Sequence, residues 1–152
     1  MIESAVYRKC IDSLPILVSA GADPNGHPDD YYRPVHTAVR DNSPEFLSKL
    51  LELGADPNLL GGQGLPLLNA ACKEDPTYLR ILLDGGANIN IVRDGWTALM
   101  QACERGAVEN VRLLVQRGAN AHIVDGKGRS AMEIAAEKGH DELVMILLDA
   151  MG

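Results

Sequence analysis

The stretch "LLELGADPNLL" (residues 50–60) decides how the chain is read, because its Gly-Ala-Asp at 54–56 is not alone. Gly-Ala-Asp also stands at 21–23, and Gly-Ala-Asn stands at 86–88 and 118–120, so the four copies begin 33, 32 and 32 residues apart. A tripeptide on so regular a ruler marks an internal repeat, and a repeat must be settled before any single motif is interpreted. Working outward from the glycines, "RPVHTAV" (33–39), "LPLLNAA" (65–71), "TALMQAC" (97–103) and "SAMEIAA" (130–136) fall into one column. Pro34, Pro66 and Ala98 each precede a glycine by twenty residues, and Ala131 precedes Met151 by the same distance. The frame predicts a single domain over 1–152 with five units, at about 1–27, 28–59, 60–91, 92–124 and 125–152.

Each unit reads as two helices and a turn. The first helix is short and carries small inward residues: Ala38, Ala70 with Ala71, Ala102, and Ala135 with Ala136. The second opens with helix-start chemistry in Ser43-Pro44-Glu45 and Asp75-Pro76-Thr77, where Ser or Asp caps and Pro takes the first helical position. It runs through Leu pairs at 50–51, 82–83 and 147–148, with Leu114-Val115 in the fourth unit, and stops at a glycine suited to a left-handed C′ position. The following Asp or Asn begins a turn whose tip is expected at Asn25-Gly26, Gly61-Gly62, Asp94-Gly95 or Asp125-Gly126.

Composition narrows the class. With 46% apolar and 23% charged residues the chain is globular, and its net charge of -7 makes nucleic acid or an anionic membrane a poor partner. The longest apolar run, Leu143 to Leu148, is far shorter than the roughly 20 residues that cross a bilayer. The start lacks the layout of a signal peptide, so a cytoplasmic or nuclear protein is expected. Cys10, Cys72 and Cys103 have no metal-ligand spacing and read as reduced thiols. No nucleophile, base and orienting group converge, and "GGQG" (61–64) lacks the Gly-Lys-Ser/Thr of a phosphate loop. No catalytic residue, cofactor or metal is therefore assigned, and the chain is not expected to be an enzyme. Met145, Ile146 and Leu148 leave the last helix apolar on more than one side, which implies a continuing chain, self-association or another partner at that face.

The period near 33 and the degenerate Thr-Pro-Leu-His column resemble the ankyrin-repeat family. "DGWTALMQACERGAVENVRLLVQRGAN" (94–120) and "DGKGRSAMEIAAEKGHDELVMILL" (125–148) match it most closely, and residues 1–20 least. Only His36 holds the histidine column, where Leu68, Met100 and Glu133 stand elsewhere. The resemblance implies an all-α solenoid of helix-turn-helix units joined by β-turn or hairpin loops. It also implies structural roles for His36 and His140, and a concave groove lined by turn tips and by the exposed end of each first helix.

In those columns the tips offer Asp29, Asp30 and Tyr32, then Gln63, then Arg93, Asp94 and Trp96, then Lys127 and Arg129. The helix column offers Tyr7 with Arg8, Arg40 with Asp41, Cys72 with Lys73, Glu104 with Arg105, and Glu137 with Lys138. Trp, Tyr and Arg dominate binding hot spots, so Trp96 and Tyr32 lead this set. The basic row Arg8, Arg40, Lys73, Arg105 and Lys138 serves either the helix dipole or an acidic partner. The expected function is non-catalytic protein binding in a scaffold, adaptor or regulatory role; the alternative is an inhibitor that occludes a partner enzyme. Finally, the resemblance implies that the turn residues Asn58 and Asn90, each with a leucine eight residues upstream, are candidates for hydroxylation.

Overall fold

The computed structural model describes the chain apart from Met1, Lys9, residues 28–30 and Tyr32, and apart from the side chains of Glu3, Val6 and Tyr7. Ten helices follow in chain order among the described residues: α1 (Ile2–Tyr7), α2 (Ser13–Ser19), α3 (Pro34–Arg40), α4 (Pro44–Glu52), α5 (Pro66–Ala71), α6 (Thr77–Asp84), α7 (Ala98–Arg105), α8 (Val108–Gln116), α9 (Ala131–Glu137) and α10 (Asp141–Met151). They form five antiparallel pairs. First helices stack as α1 on α3 on α5 on α7 on α9, and second helices meet as α4 on α6 and α8 on α10. The only β-type contacts among these residues are isolated bridges in the connecting loops, so the fold is an all-α repeat solenoid.

The recurring Gly-Ala is a helix stop with a specific bonding pattern. Gly54 takes φ +92°, its N–H reaches the carbonyl of Leu51 at 3.0 Å, and the N–H of Ala55 reaches that of Leu50 at 3.0 Å. The same two bonds recur at Gly21, Gly86 and Gly118, satisfying carbonyls that the helix end would otherwise orphan. The Asp or Asn that follows folds the chain into an Asx turn, as when Asp56 Oδ1 accepts from the N–H of Asn58 at 2.8 Å.

Small residues let first helices pack closely: Ala38, Ala70, Ala71, Ala102 and Ala135 are buried. Ala136 departs from expectation and is exposed, because α9 packs chiefly on α7 and α10 and leaves that side uncovered. Between the layers lie Leu47, Leu50, Leu79, Leu82, Leu114, Leu143 and Leu147, each fully buried and worth about 1.5–3 kcal/mol of transfer free energy. Met145, Leu148 and Met151 stand exposed on the last helix.

The caps are less uniform than the repeat suggests. Thr97 and Ser130 have extended backbones and aim their hydroxyls at the N–H groups of Met100 and Glu133. Ser43, at ψ 78°, makes no such bond, contrary to the expected cap, although Pro44 does occupy the first helical position. At α6 the N-cap is Pro76, not the expected Asp75, and Asp75 stands one residue earlier in an Asx turn that accepts from the Thr77 N–H at 2.9 Å. At their C-termini α3, α7 and α9 are followed by left-handed Asn42, Gly106 and Gly139. No such residue follows α5. Its end is capped instead from the next unit, where the buried Asn110 of α8 donates through Nδ2 to the carbonyls of Ala71 (3.1 Å) and Lys73 (2.6 Å).

Candidate functional site

The site is assembled where a hairpin tip meets two first helices. Arg93 and Trp96 bridge each other through paired backbone bonds of 3.0 and 2.8 Å. Asp94 (φ +52°) and Gly95 (φ +81°) close the two-residue loop, the left-handed pair that matches strand twist in tight hairpins. This fixes Arg93, Asp94 and Trp96 at one mouth of an open cleft of about 380 Å³. Gln63 on the preceding tip, Cys72 at the end of α5 and Arg105 at the end of α7 complete the rim. Six residues placed in the two groove columns from sequence thus come together across the junction of the third and fourth units.

Leu68, Asn69 and Gln101 also line this cleft and were not singled out from sequence. The signal was present, since Leu68 holds the histidine column and Asn69 and Gln101 share the next one, polar in these two units where the fifth has the buried Ile134. Asn69 Nδ2 donates to the Gln63 carbonyl at 3.0 Å, tying the tip to α5. Cys72 donates to Gln101 Oε1 and to the Leu68 carbonyl, both at 3.4 Å. Burial raises the Cys72 thiol above its ordinary range while nearby Arg105 opposes that. Burial pushes Cys103 up to about 12. Both are inert thiols at neutral pH.

The glycine-rich loop earns its composition by close approach. His36 packs on Gly61, the ring of Tyr31 covers Gly62, and the guanidinium of Arg93 lies on Gly64, where a Cβ would stand 2.6 Å from Nη1. The bridge joins Gly61 to Gly64, so the tip is Gly62-Gln63, one residue beyond the expected position. His36 Nε2 donates to the Gly64 carbonyl at 2.7 Å, which stitches α3 to the next unit's loop. Burial lowers the pKa of this ring below 6.5, and the charges of Arg33 and Arg93 act the same way against the Gly64 bond. His140 packs on Gly106 in the preceding unit.

The remaining groove candidates are placed as follows. Arg129 is engaged internally by Asp125 at 2.7 Å and by Glu137. Asp125 is buried at the base of its loop and also accepts from the N–H groups of Lys127 and Arg129, so it is not a tip residue. Lys127 is exposed. Arg40 pairs with Asp41 at 2.6 Å and Lys138 with Glu104 at 3.2 Å. Lys73 donates to Asn42 at 2.7 Å and lies 5.0 Å from the centroid of the Tyr78 ring. Arg8 is exposed just after α1, whereas the side chain of Tyr7 and the whole of Asp29, Asp30 and Tyr32 lie outside the described residues. Within the basic row Arg40 and Lys138 are thus paired with acids, whereas Lys73 is bonded to an amide.

The turn asparagines, none of which lines the cleft, link neighbouring units. Asn25 Oδ1 accepts from the Asp56 N–H at 2.7 Å, Asn58 Oδ1 from the Asn88 N–H at 2.7 Å, and Asn90 Oδ1 from the Asn120 N–H at 2.8 Å. Among the described residues no group of three His, Cys, Asp or Glu is placed to hold a metal, and no helix is long and apolar enough to cross a membrane.

No curated protein matches the chain. A family model described as "Ankyrin repeats (3 copies)" matches residues 67–152, more than half of its length, and the same helix stops continue into the units before that span. The chain belongs to the ankyrin-repeat family, whose repeats are in general protein–protein interaction modules.

Proposed function

We propose that this chain is a non-catalytic module that presents its hairpin edge to a protein partner in a scaffold, adaptor or regulatory role. One observation carries the reading: the chain's single tryptophan, Trp96, borders the cleft together with Arg93 and Arg105. Aromatic and Arg side chains gathered in a preformed concavity are what binding hot spots are made of. A rigid platform suits the role, because ordering costs are met when the domain folds and not when it binds.

The test is affinity capture with wild-type chain, a Trp96→Ala variant and a Glu52→Ala variant altered on the far side of the repeat. Specific proteins lost with Trp96→Ala and retained with Glu52→Ala support the reading. Equal recovery with both variants removes it. Assaying a captured enzyme with and without the chain then separates an adaptor from an occluding inhibitor.

A further inference from the structure

The two guanidinium groups of the cleft are satisfied to different degrees. Arg93 is held, with Nε 3.3 Å from Asp94 Oδ2 and Nη1 lying on Gly64. Arg105 ends α7 in an exposed position, and among the described residues no carboxylate comes within ion-pair distance of it. In the same row Arg40 and Lys138 face Asp41 and Glu104, while Lys73 bonds the Asn42 amide. Gln101, half-buried beside it, uses Oε1 to accept from Cys72 and has no partner at Nε2 among the described residues. The cleft thus offers a cation without a carboxylate and a spare amide donor next to the half-buried ring of Trp96, with the buried Leu68 at its floor. On a chain of net charge -7 this is a local reversal of sign.

We propose that the cleft receives an acidic peptide segment of a partner protein, with an Asp or Glu carboxylate on Arg105 and an adjacent apolar side chain against Trp96. The proposal rests on the hairpin edge being the binding surface. Arg engages a carboxylate through two parallel N–H bonds, and such charge-assisted pairs are about twice as strong as neutral ones. Gln101 Nε2 is available to a peptide carbonyl. Nucleic acid fits poorly, because a polyanion would meet one guanidinium without a carboxylate partner and a net-acidic body, whereas affinity for a phosphate backbone needs many cations.

The whole chain is panned against a display library of short random peptides. Synthetic copies of the selected sequences are titrated into wild type, Arg105→Glu and Arg105→Gln, with emission from the single tryptophan as the readout. The expected result is enrichment of Asp or Glu beside an apolar residue and Kd raised by at least about tenfold in Arg105→Glu. Affinity should return when the peptide's acidic residue is exchanged for Lys. If Arg105→Glu melts early, Arg105→Gln supplies the loss measurement. Peptides that shift Trp96 emission but lack an acid, and bind the Arg105 variants unchanged, overturn the proposal while leaving the hairpin edge as the binding surface. No binder at all, or only binders that leave Trp96 emission unmoved, overturns both.

Discussion

Asn110 Nδ2 donates to the carbonyl of Lys73 at 2.6 Å, so a side chain in the fourth unit closes the end of a helix in the third. The same nitrogen reaches Ala71, while Asn110 Oδ1 is buried without a partner. Replacing Asn110 by Leu keeps the volume but strands the α5 carbonyls. A loss of about 1–3 kcal/mol is expected from unsatisfied buried groups. Urea unfolding measures it; an unchanged midpoint and slope would show that water caps α5 equally well.

His36 should make stability depend on pH near neutrality. Its folded pKa is lowered from 6.5, chiefly by burial, so between the folded and unfolded values the unfolded chain binds the extra proton more readily. The contribution is complete above about pH 6.5 and declines as pH falls through that value toward the depressed folded pKa. Between about pH 7.5 and about pH 5.5 the Tm of wild type should fall more than that of His36→Gln, which keeps an amide donor for Gly64. Parallel curves would assign the slope to other groups.

A second proton-linked contribution sits at lower pH. The bond from the Arg129 guanidinium is the main cause holding the Asp125 carboxyl at about 2, against 3.8 unperturbed, helped by the Arg129 and Lys127 backbone N–H groups. A depressed acid stabilises fully above its unfolded pKa and loses that contribution as pH falls through the folded one. Arg129→Met should therefore move the onset of acid unfolding to higher pH. Far-UV circular dichroism against pH reads this directly, and coincident curves would count against it.

With a partner in hand, Trp96→Ala is expected to weaken binding by more than about 1 kcal/mol and Glu52→Ala by little. If Arg105 contacts a carboxylate, affinity should also fall with ionic strength, since salt screens exposed charges. Affinity independent of salt would confine the basic row to offsetting helix dipoles.

Local chemistry was legible where cause and effect share one unit. Gly54 and Ala55 announce a helix stop because both bonds they make lie within a few residues, and Arg93, Asp94 and Trp96 announce a tip because Asp-Gly dictates the loop. Asn110 was not legible. Its column holds Phe46, Tyr78 and Leu143, which promise plain apolar packing, and the carbonyls it serves belong to a helix end nearly forty residues earlier. Asp125 misled for a related reason: Asp-Gly reads as a tip, yet the guanidinium of Arg129 and two backbone N–H groups draw the carboxylate inward. Ser43 failed as a cap on a torsion angle that no residue type reveals.

The asparagine bonds from Asn25 to Asp56, Asn58 to Asn88 and Asn90 to Asn120 give the array a mechanical grain. They act as a strap of nearly fixed link length along one edge, each link anchoring a turn to its successor. His36–Gly64 also clasps the second unit to the third, and at the next junction Asn110 holds the carbonyls of Ala71 and Lys73 beside the open cleft. Each junction from the first unit to the fourth is therefore tied by side-chain bonds to backbone, and the cleft beside Trp96 is a seat whose own walls are fastened to each other.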